Sequence, residues 1–329
     1  MCNKLLSVSI AAYNVESYLD ECLRVFADDD FSNTIDVMII DDGSTDDTSN
    51  IAEKYAARYP SIFTYIKKEN GGWGSTVNEG IKNAKGKYFK QLDGDDYFSH
   101  NDLLRLMDKL QDCNADVVIT DYDTFLDETA EKIGHWSFDS TFKYGVEYKV
   151  DDLGQALSNL TMHGLTVKTS LLEKVRLTEK CFYTDIEFLI KALSLASTVQ
   201  IMPYSIYNYR VGRTGQSVSL EGMQRHYKEH LTVLKNTMAY VENCDATIER
   251  KHILYNRLSE MARAQYERYL CLPITTTTKK ELITYDQWIK GVEYIDIHRS
   301  KIVRLLRGSN YLIYPILAHY EKNRIKKMY

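Results

Sequence analysis

The chain has 329 residues, of which 44% are apolar and 26% charged. This composition is typical of a globular protein and excludes a disordered chain or a small disulfide scaffold. At roughly 150 residues per domain, the length allows two domains or one domain with a large extension. The formal net charge of −5 argues against general nucleic-acid binding.

Five short runs rich in β-branched and aromatic residues predict strands in the first part of the chain. They are 6–11, 37–40, 62–66, 88–92 and 116–120. Amphipathic helical patterns fill the gaps between them. This alternation is typical of a parallel sheet with crossover helices.

Two of these helices have predicted caps and buried faces. Ser17 is expected to cap a helix that buries Leu19, Cys22, Leu23 and Phe26. Asn101 is expected to cap another that buries Leu103, Leu104, Met107 and Leu110.

The pattern changes twice after the last predicted strand. Residues 121 to about 215 are less regular and predict a second lobe built onto the sheet. Beyond Ser219 the sequence is strongly helical, and LPITTTTKKE at 272–281 marks a break, with the threonines as a loop or helix lead-in.

The cysteines and the apolar runs indicate the compartment. The cysteines form no CxxC pair, which indicates neither a disulfide framework nor a zinc cluster. They are Cys2, Cys22, Cys113, Cys181, Cys244 and Cys271. No apolar run reaches the ~18 residues of a transmembrane helix, and MCNKLLSVSI lacks the features of a secretory signal. A cytoplasmic location is therefore expected.

The charge is distributed unevenly along the chain. Residues 299–329 carry eight Lys or Arg against one acid, Glu321, so this basic tail is +7 and the remainder −12. The tail surrounds SNYLIYPILAHY. Two interpretations are open: the tail lies on an anionic membrane surface, or it forms C-terminal helices packed on the body.

Aspartates gather after two of the predicted strands. Asp41 and Asp42 follow VMII, and Asp93, Asp95 and Asp96 follow YFKQL. In an open α/β sheet, ligands bind at the carboxyl ends of the strands. Crowded carboxylates there favour a divalent cation with oxygen ligands, Mn²⁺ or Mg²⁺, shared with a nucleotide diphosphate. The first acidic pair would then accept hydrogen bonds from the base or the ribose.

A glycine-rich segment, ENGGWGSTVNEGI, lies between the two acidic clusters. Gly71, Gly72 and Gly74 precede a helix predicted to begin near Ser75. Glycines in this position allow backbone N–H groups to approach phosphate. The spacing matches neither the Rossmann nor the P-loop pattern, which argues against a dehydrogenase or an ATPase.

Two aromatic side chains have open roles. Trp73 either covers a ligand or packs in the core. His163 in TMHGLT either contacts the sugar or acceptor or is structural.

Five segments taken in order resemble the family 2 glycosyltransferases, which are inverting enzymes that use nucleotide-diphosphate sugars. They are SVSIAAYNVESYLDECL, IIDDGSTDDT, KENGGWGSTVNEGIKNAKGKYFKQLDGDD, CFYTDIEF and YNYRVGRTGQSVS. The resemblance implies the GT-A fold, a mixed, mostly parallel sheet flanked by helices, here with a helical C-terminal extension. Residues 1–120 would form the nucleotide-sugar-binding half, 121–219 the acceptor and catalytic half of the same domain, and 220–329 the helical region.

The resemblance also implies site residues. Ala12, Tyr13 and Glu16 would sit beside the nucleoside, with Asp41 recognising the base, typically uracil, and Asp42 nearby. The other residues implied to bind the nucleotide sugar are Asn70, Gly71, Gly72, Asp93 and Gly94, and, in a loop that closes over the diphosphate in relatives, Arg210, Arg213 and Ser217.

Residues 93–96 resemble the DXD motif of the family. By this resemblance, Asp95 holds the metal on the diphosphate, with Asp93 and Asp96 as further candidate ligands. Asp93 would also face the sugar or the ribose.

Asp185 matches the aspartate that acts as the catalytic base in the family. An alternative comes from the residues themselves, since Thr184 and Glu187 have capping-box spacing, and Asp185 would then merely favour the helix dipole.

The chain departs from the family pattern at three positions. The family usually has proline at Ala12, arginine at Val77 and glutamate at Thr184. Without the arginine, the diphosphate charge must be compensated by another cation. The candidates are Lys67, Lys68, Arg210 and Arg213.

The resemblance therefore implies a transferase that moves a sugar from a nucleotide-diphosphate sugar to a hydroxyl of a glycan or lipid-linked acceptor in bacterial surface polysaccharide synthesis. A UDP-sugar is the favoured donor. The enzyme would work at the cytoplasmic face of the membrane, and the sequence allows an oligomer. Because of the departures, a catalytically silent nucleotide-sugar-binding subunit of a glycan-assembly complex is the alternative.

Overall fold

The computed structural model of the chain describes residues 4–213 and 216–328. Cys2 and Tyr329, which belong to the cysteine set and the basic tail above, lie outside them. The chain divides into two compact units, Met1–Val211 and Gly212–Tyr329.

The first unit is built on a ten-stranded sheet formed by the described residues up to Val211. The strands are β1 (Leu6–Ala12), β2 (Ile35–Asp41), β3 (Phe63–Lys67), β4 (Tyr88–Asp93), β5 (Tyr97–Phe98), β6 (Val117–Leu126), β7 (Lys132–Trp136), β8 (Glu147–Lys149), β9 (Leu165–Lys168) and β10 (Thr198–Val211). Their order is β3-β2-β1-β4-β9-β6-β10-β5, with β7 on β6 and β8 on β10. All five strands predicted from the sequence are confirmed.

The sheet is mixed. β1 pairs in parallel with β2 and β4, β2 with β3, and β6 with β10. β9 joins the two halves by antiparallel pairing to both β4 and β6. The β1–β4 half is therefore an all-parallel sheet, and its strands β1 and β2 are almost entirely buried, as is usual in parallel sheets.

Six α-helices, counted over the described part of the first unit, accompany the sheet. They are α1 (Leu19–Arg24), α2 (Thr48–Arg58), α3 (Trp73–Asn83), α4 (His100–Asp112), α5 (Thr169–Leu172) and α6 (Thr184–Leu195). Short 3₁₀ segments lie at Asp29–Phe31, Val150–Asn159 and Met162–Gly164.

Two details of the predicted helices are wrong. The N-caps are Tyr18 rather than Ser17 and Ser99 rather than Asn101. The backbone therefore enters α1 one residue later, and α4 two residues earlier, than predicted. On α4, Leu104 is exposed and Leu106 is buried in its place, since the helix is phased so that positions 103, 106, 107 and 110 face the sheet.

The second unit is helical among its described residues. It contains α7 (Leu220–Asn243), α8 (Ile248–Cys271), α9 (Thr276–Lys290), α10 (Lys301–Gly308) and α11 (Tyr314–Met328). The side chains of Ser219, Thr247, Thr275 and Ser300 each cap the helix that follows by accepting a backbone N–H. The threonine run is thus the lead-in to α9. None of the helices formed by the described residues combines the length and apolarity needed to cross a bilayer.

A buried carboxylate ties α9 to its neighbours. Asp286 is fully buried and accepts hydrogen bonds from Tyr266, Tyr311 and Arg307, while Lys290 lies 2.9 Å from it. Burial alone would raise the pKa of Asp286, but these donors outweigh it and lower the pKa to about 2.

Replacing Asp286 with asparagine should lower the free energy of unfolding by about 3 kcal/mol at pH 7, because it leaves buried donors and cations uncompensated. A carboxylate with a depressed pKa stabilises the fold above its unfolded pKa and loses that effect as the pH falls. The difference between wild type and variant should therefore shrink as the pH falls from about 4 towards 2. Denaturant titration at several pH values measures it.

Asp245 offers a matched control, because it is an exposed aspartate of the same unit. Asp245→Asn should change stability by less than about 0.5 kcal/mol. Equal effects of the two substitutions would show that the Asp286 cluster does not stabilise the fold.

Candidate active site

The two predicted acidic clusters meet at one edge of the sheet. In the parallel register, Ala12 at the end of β1 is paired with Asp41 of β2, and Ala11 is paired with Asp93 of β4. Neighbouring strands lie about 4.8 Å apart, which places the backbones of Asp41 and Asp93 about 10 Å apart on either side of β1. Gly94 N–H donates to the Ala11 carbonyl, and a side chain on Gly94 would collide with that oxygen. The carboxyl ends of β2, β1 and β4, here called the acidic rim, therefore form one continuous edge.

Asp41 is buried but ionised. Its carboxylate accepts hydrogen bonds from the Ser44 N–H (2.7 Å), the Ser49 hydroxyl (2.5 Å) and the Tyr65 hydroxyl (2.9 Å). Burial raises its pKa, but the hydrogen bonds outweigh burial and hold the pKa below its ordinary value. The side chain is therefore a fixed negative charge at the rim.

Asp42 organises the glycine-rich segment. Its carboxylate accepts from the N–H groups of Gly71 (2.9 Å) and Gly72 (2.8 Å) and pairs with Lys68 at 2.8 Å. The backbone N–H groups of Gly71 and Gly72, which were expected to approach phosphate, thus donate to Asp42 instead. Asp42 precedes these glycines by 29 and 30 positions, and the glycine spacing did not reveal it as their partner. The Asn70 side-chain amide donates to the Asp42 carbonyl.

Three predicted residues of the nucleoside region follow or end β1. Ala12 is buried, whereas Tyr13 is about half exposed at 51%. Glu16 accepts a hydrogen bond from the N–H of Asp47 at 2.7 Å, which ties the segment after β1 to the one after β2. These contacts hold the end of β1 beside Asp41.

The three aspartates of residues 93–96 have different surroundings. Asp93 accepts a hydrogen bond from the Trp73 indole N–H at 2.6 Å, and Asp95 is partly exposed. Asp96 is buried and accepts from the Tyr207 hydroxyl and the Arg210 N–H, both at 2.7 Å. Burial, then the charges of Asp95 and Asp93, raise the pKa of Asp96 well above its ordinary value.

His163 joins this group. A ring nitrogen of His163 and carboxylate oxygens of Asp93 and Asp96 all lie within 4.8 Å of one another. Removal from water, and then the charge of Lys90, lower the pKa of His163 to about 3, so the imidazole is neutral at physiological pH. Its Nδ1 lies 3.0 Å from the Thr161 hydroxyl. Carboxylates beside a neutral imidazole are a donor set that suits Mn²⁺ or another first-row divalent ion.

The resemblance implied that Arg210 lies in a loop, but the residue lies near the end of β10. Its guanidinium forms ion pairs with Glu21 and with Asp127, and its Nε donates to the Asp95 carbonyl at 2.7 Å. The loop assignment failed because β10 runs to Val211. Arg213 and Ser217 follow in the second unit.

Val77, which stands where the family usually has arginine, occupies a core position. Val77 lies on α3 and is fully buried, so its side chain belongs to the packing of α3 on the sheet. Among the candidate compensating cations, Lys68 pairs with Asp42, and Lys67 is exposed and donates to Ser49.

Asp185 lies in the first turn of α6 and is partly exposed. The residue that caps α6 is Tyr183, in the left-handed conformation with φ +68°. The predicted capping box is wrong, because Glu187 instead accepts from the Thr178 N–H and pairs with Lys191. A non-glycine residue held at positive φ is uncommon and is enriched at functional sites.

Trp73 links this helix to the acidic rim. Its ring packs edge-on against Phe188, one turn after Asp185 on α6, with the ring centroids 6.5 Å apart. Its indole N–H donates to Asp93. Gly72, at φ +79°, packs next to the backbone of Lys180. These contacts bring the start of α6 to the side of the glycine-rich segment.

The packing of α3 on the segment before α6 depends on Gly74. A side-chain carbon on Gly74 would lie 2.2 Å from the Thr178 carbonyl oxygen. Gly74→Ala should therefore separate the two segments and lower the free energy of unfolding by about 1–3 kcal/mol. Chemical denaturation measures this change.

Gly291 is the matched control, because a side-chain carbon there meets its nearest neighbour at an ordinary 3.4 Å. Gly291→Ala should leave stability within about 1 kcal/mol of wild type. If Gly74→Ala is equally harmless, the close packing described for α3 is wrong.

Comparison with known proteins agrees with this architecture. A solved structure of Staphylococcus aureus TarS (residues 1–349), in complex with UDP-GlcNAc, matches with a TM-score of 0.69 at 19% identity, over 98% of this chain and 89% of that one. The chain therefore has the GT-A fold of the glycosyltransferases, followed by a helical region.

The family follows from the sequence match. Residues 7–176, just over half of the chain, match the family described as Glycosyl transferase family 2. The chain belongs to glycosyl transferase family 2, and it is a glycosyltransferase.

Two curated relatives indicate the range of proteins to which the chain is similar. An uncharacterized glycosyltransferase of Mycoplasma pneumoniae, the MG060 homolog, is 27% identical over 235 residues, which cover 70% of this chain and 77% of that protein. The minor teichoic acid biosynthesis protein GgaB of Bacillus subtilis is 26% identical over 251 residues, which cover 74% of this chain but 27% of GgaB.

Proposed function

We propose that the chain transfers a sugar from a nucleotide-diphosphate sugar to an acceptor hydroxyl, with inversion of the anomeric configuration. UDP-sugars are the leading donor class. The observation that carries this proposal is the acidic rim, with Asp41 and Asp93 on the two sides of β1 and the helix of Asp185 joined to it through Trp73. The solved complex of TarS with UDP-GlcNAc supports the choice of donor.

The nucleoside end of the donor is proposed to lie at β1 and β2. Asp41 would accept from the base, typically uracil, beside Ala12, Tyr13 and Glu16. Support comes from the fixed charge of Asp41 and the half-exposed ring of Tyr13. Asp42 would act through the glycine-rich segment that it holds.

The diphosphate end is proposed to lie at β4. Asp95 would hold a divalent cation, Mn²⁺ or Mg²⁺, with Asp93 and Asp96 as further ligands. Support comes from the carboxylate oxygens of Asp93 and Asp96, which lie within 4.8 Å of each other and of a ring nitrogen of His163. When bound, this ion supplies Lewis-acid stabilisation of the departing nucleoside diphosphate. For Arg213 and Ser217, contact with the diphosphate stays a prediction.

Asp185 is proposed to act as the catalytic base. Its carboxylate would remove the proton from the acceptor hydroxyl as that oxygen attacks the anomeric carbon. The bond between that carbon and the diphosphate oxygen breaks, the nucleoside diphosphate leaves with the electron pair, and attack from the opposite face inverts the configuration. Support comes from its position in the first turn of a helix, two residues after Tyr183, which has a positive φ.

The acceptor is proposed to be a glycan or a lipid-linked glycan of a bacterial surface polysaccharide. The similarity to GgaB, a teichoic acid biosynthesis protein, supports this class of acceptor. The enzyme would then act at the cytoplasmic face of the membrane.

A donor panel tests the proposal. The full chain is incubated with UDP-, GDP- and dTDP-sugars and Mn²⁺, and the release of nucleoside diphosphate is measured. We expect release from one class of donor, and NMR of a glycoside product should show an inverted anomeric centre. Tight binding of a donor without release, for every acceptor tried, would instead identify a catalytically silent subunit.

A further inference from the structure

The outer faces of α10 and α11, and the turn that joins the two helices, expose large apolar side chains. Leu312 is 77% exposed, Ile316 69%, Tyr320 61% and Leu305 52%, and these are among the most exposed large hydrophobic residues of the described chain. Ile316 and Tyr320 are four residues apart and share one face of α11. The opposite face of this helix is buried through Tyr314, Ala318, Glu321 and Ile325.

The same outer faces carry cations. Lys301 and Arg304 lie with Leu305 on the exposed side of α10, and Lys326 and Lys327 are exposed at the end of α11. Lys327 is seven residues after Tyr320 and therefore lies on the same face. These four cations and the four apolar side chains of the preceding paragraph are here called the tail surface.

Three of the four remaining basic residues of the tail pair with acidic side chains, and the fourth, Lys322, is partly exposed. Arg307 pairs with the buried Asp286, and Arg324 pairs with Glu321 and Glu267. Arg299 pairs with Asp296. The charge that the tail presents outwards is therefore smaller than its sequence total of +7, and its exposed cations lie on α10 and α11, the helices that also carry Leu305, Ile316 and Tyr320.

We propose that the tail surface docks the protein on an anionic lipid bilayer. Exposed leucine, isoleucine and tyrosine side chains enter the boundary between headgroups and acyl chains, and lysine or arginine beside them pair with anionic headgroups. The single sign of the charges selects an anionic partner. Since one face of α11 stays packed in the protein, few side chains reach the lipid, and the binding is weak, reversible and dependent on anionic lipid.

Vesicle flotation of the full chain tests this inference. The probes are vesicles of phosphatidylcholine alone and vesicles with phosphatidylglycerol added. We expect flotation with the anionic vesicles, little with the neutral ones, and a loss of binding as salt screens the charges. The variants Leu312→Ser/Ile316→Ser and Lys326→Glu/Lys327→Glu should each weaken binding roughly tenfold.

Matched controls come from exposed residues elsewhere. Ile248 and Ile274 are exposed apolar side chains of the second unit, and Lys54 and Lys228 are exposed lysines. Ile248→Ser/Ile274→Ser and Lys54→Glu/Lys228→Glu should float like wild type, and circular dichroism checks that every variant is folded.

Three outcomes would overturn the inference. The first is equal binding to neutral and anionic vesicles, and the second is an equal loss of vesicle binding in the test and control variants. The third is a chain that does not bind vesicles but self-associates in sedimentation experiments, with Leu312→Ser/Ile316→Ser dissociating the assembly. The last outcome would assign the tail surface to a second copy of the chain. None of them depends on transferase activity.

Discussion

Asp185→Asn should lower kcat for sugar transfer by roughly 10²–10⁴-fold, because asparagine cannot accept the proton of the acceptor hydroxyl. The substitution keeps the size of the side chain at the start of α6, and the partly exposed position tolerates it. The KM for the donor should change little, since the base touches the acceptor rather than the nucleotide. Steady-state kinetics with the best donor of the panel measure both constants.

A purely structural role for Asp185 has a different signature. If the carboxylate only favours the helix dipole, its loss costs about 0.3–1 kcal/mol of stability and leaves kcat close to wild type. Asp102→Asn, in the first turn of α4, is the matched control for that effect. A normal kcat in Asp185→Asn would remove Asp185 from the chemistry.

Asp95→Ala should abolish most of the cation-dependent activity. Loss of a ligand to the cation removes several kcal/mol of stabilisation of the leaving diphosphate, equivalent to a fall of roughly 10³-fold in kcat/KM. The residue is partly exposed at the rim, so the fold should remain stable. Activity is measured over a range of Mn²⁺ concentrations for wild type and variant.

The control is Asp108→Ala, which removes an exposed aspartate from α4. It should retain the wild-type rate and the wild-type response to Mn²⁺. If Asp95→Ala behaves like this control, the cation does not bind at residue 95.

The acidic rim was predictable from local patterns. Apolar runs that end in aspartate predict buried parallel strands with acids at their carboxyl ends, and the register of β1 with β2 and β4 brings Asp41 and Asp93 to one edge. The apolar periodicity predicted where the helices lie, but it did not predict their N-cap residues. A cap depends on where the chain turns, which tertiary packing decides at Ser99 and Tyr183.

The partners of the site side chains were not predictable, because they come from distant parts of the chain. Trp73 donates to Asp93, 20 positions away, and His163 reaches the same carboxylate from the second half of the unit. Arg210 pairs with Glu21 across 189 positions. Single-sequence patterns report neighbours along a helix or strand, whereas the Trp73 contact needs α3 packed beside the end of β4, and the His163 and Arg210 contacts arise only when β9 and β10 join the sheet. A histidine and a tryptophan in glycine-containing segments were the available signals.

The crystal structure of the chain with UDP and Mn²⁺ tests the proposed donor site most directly. We expect the uracil beside Ala12 and Asp41, and the diphosphate and the ion at Asp93 and Asp95. UDP and Mn²⁺ bound away from the ends of β2, β1 and β4, or crystals soaked in both that show neither at the rim, would contradict the assignment of this edge as a nucleotide-sugar site.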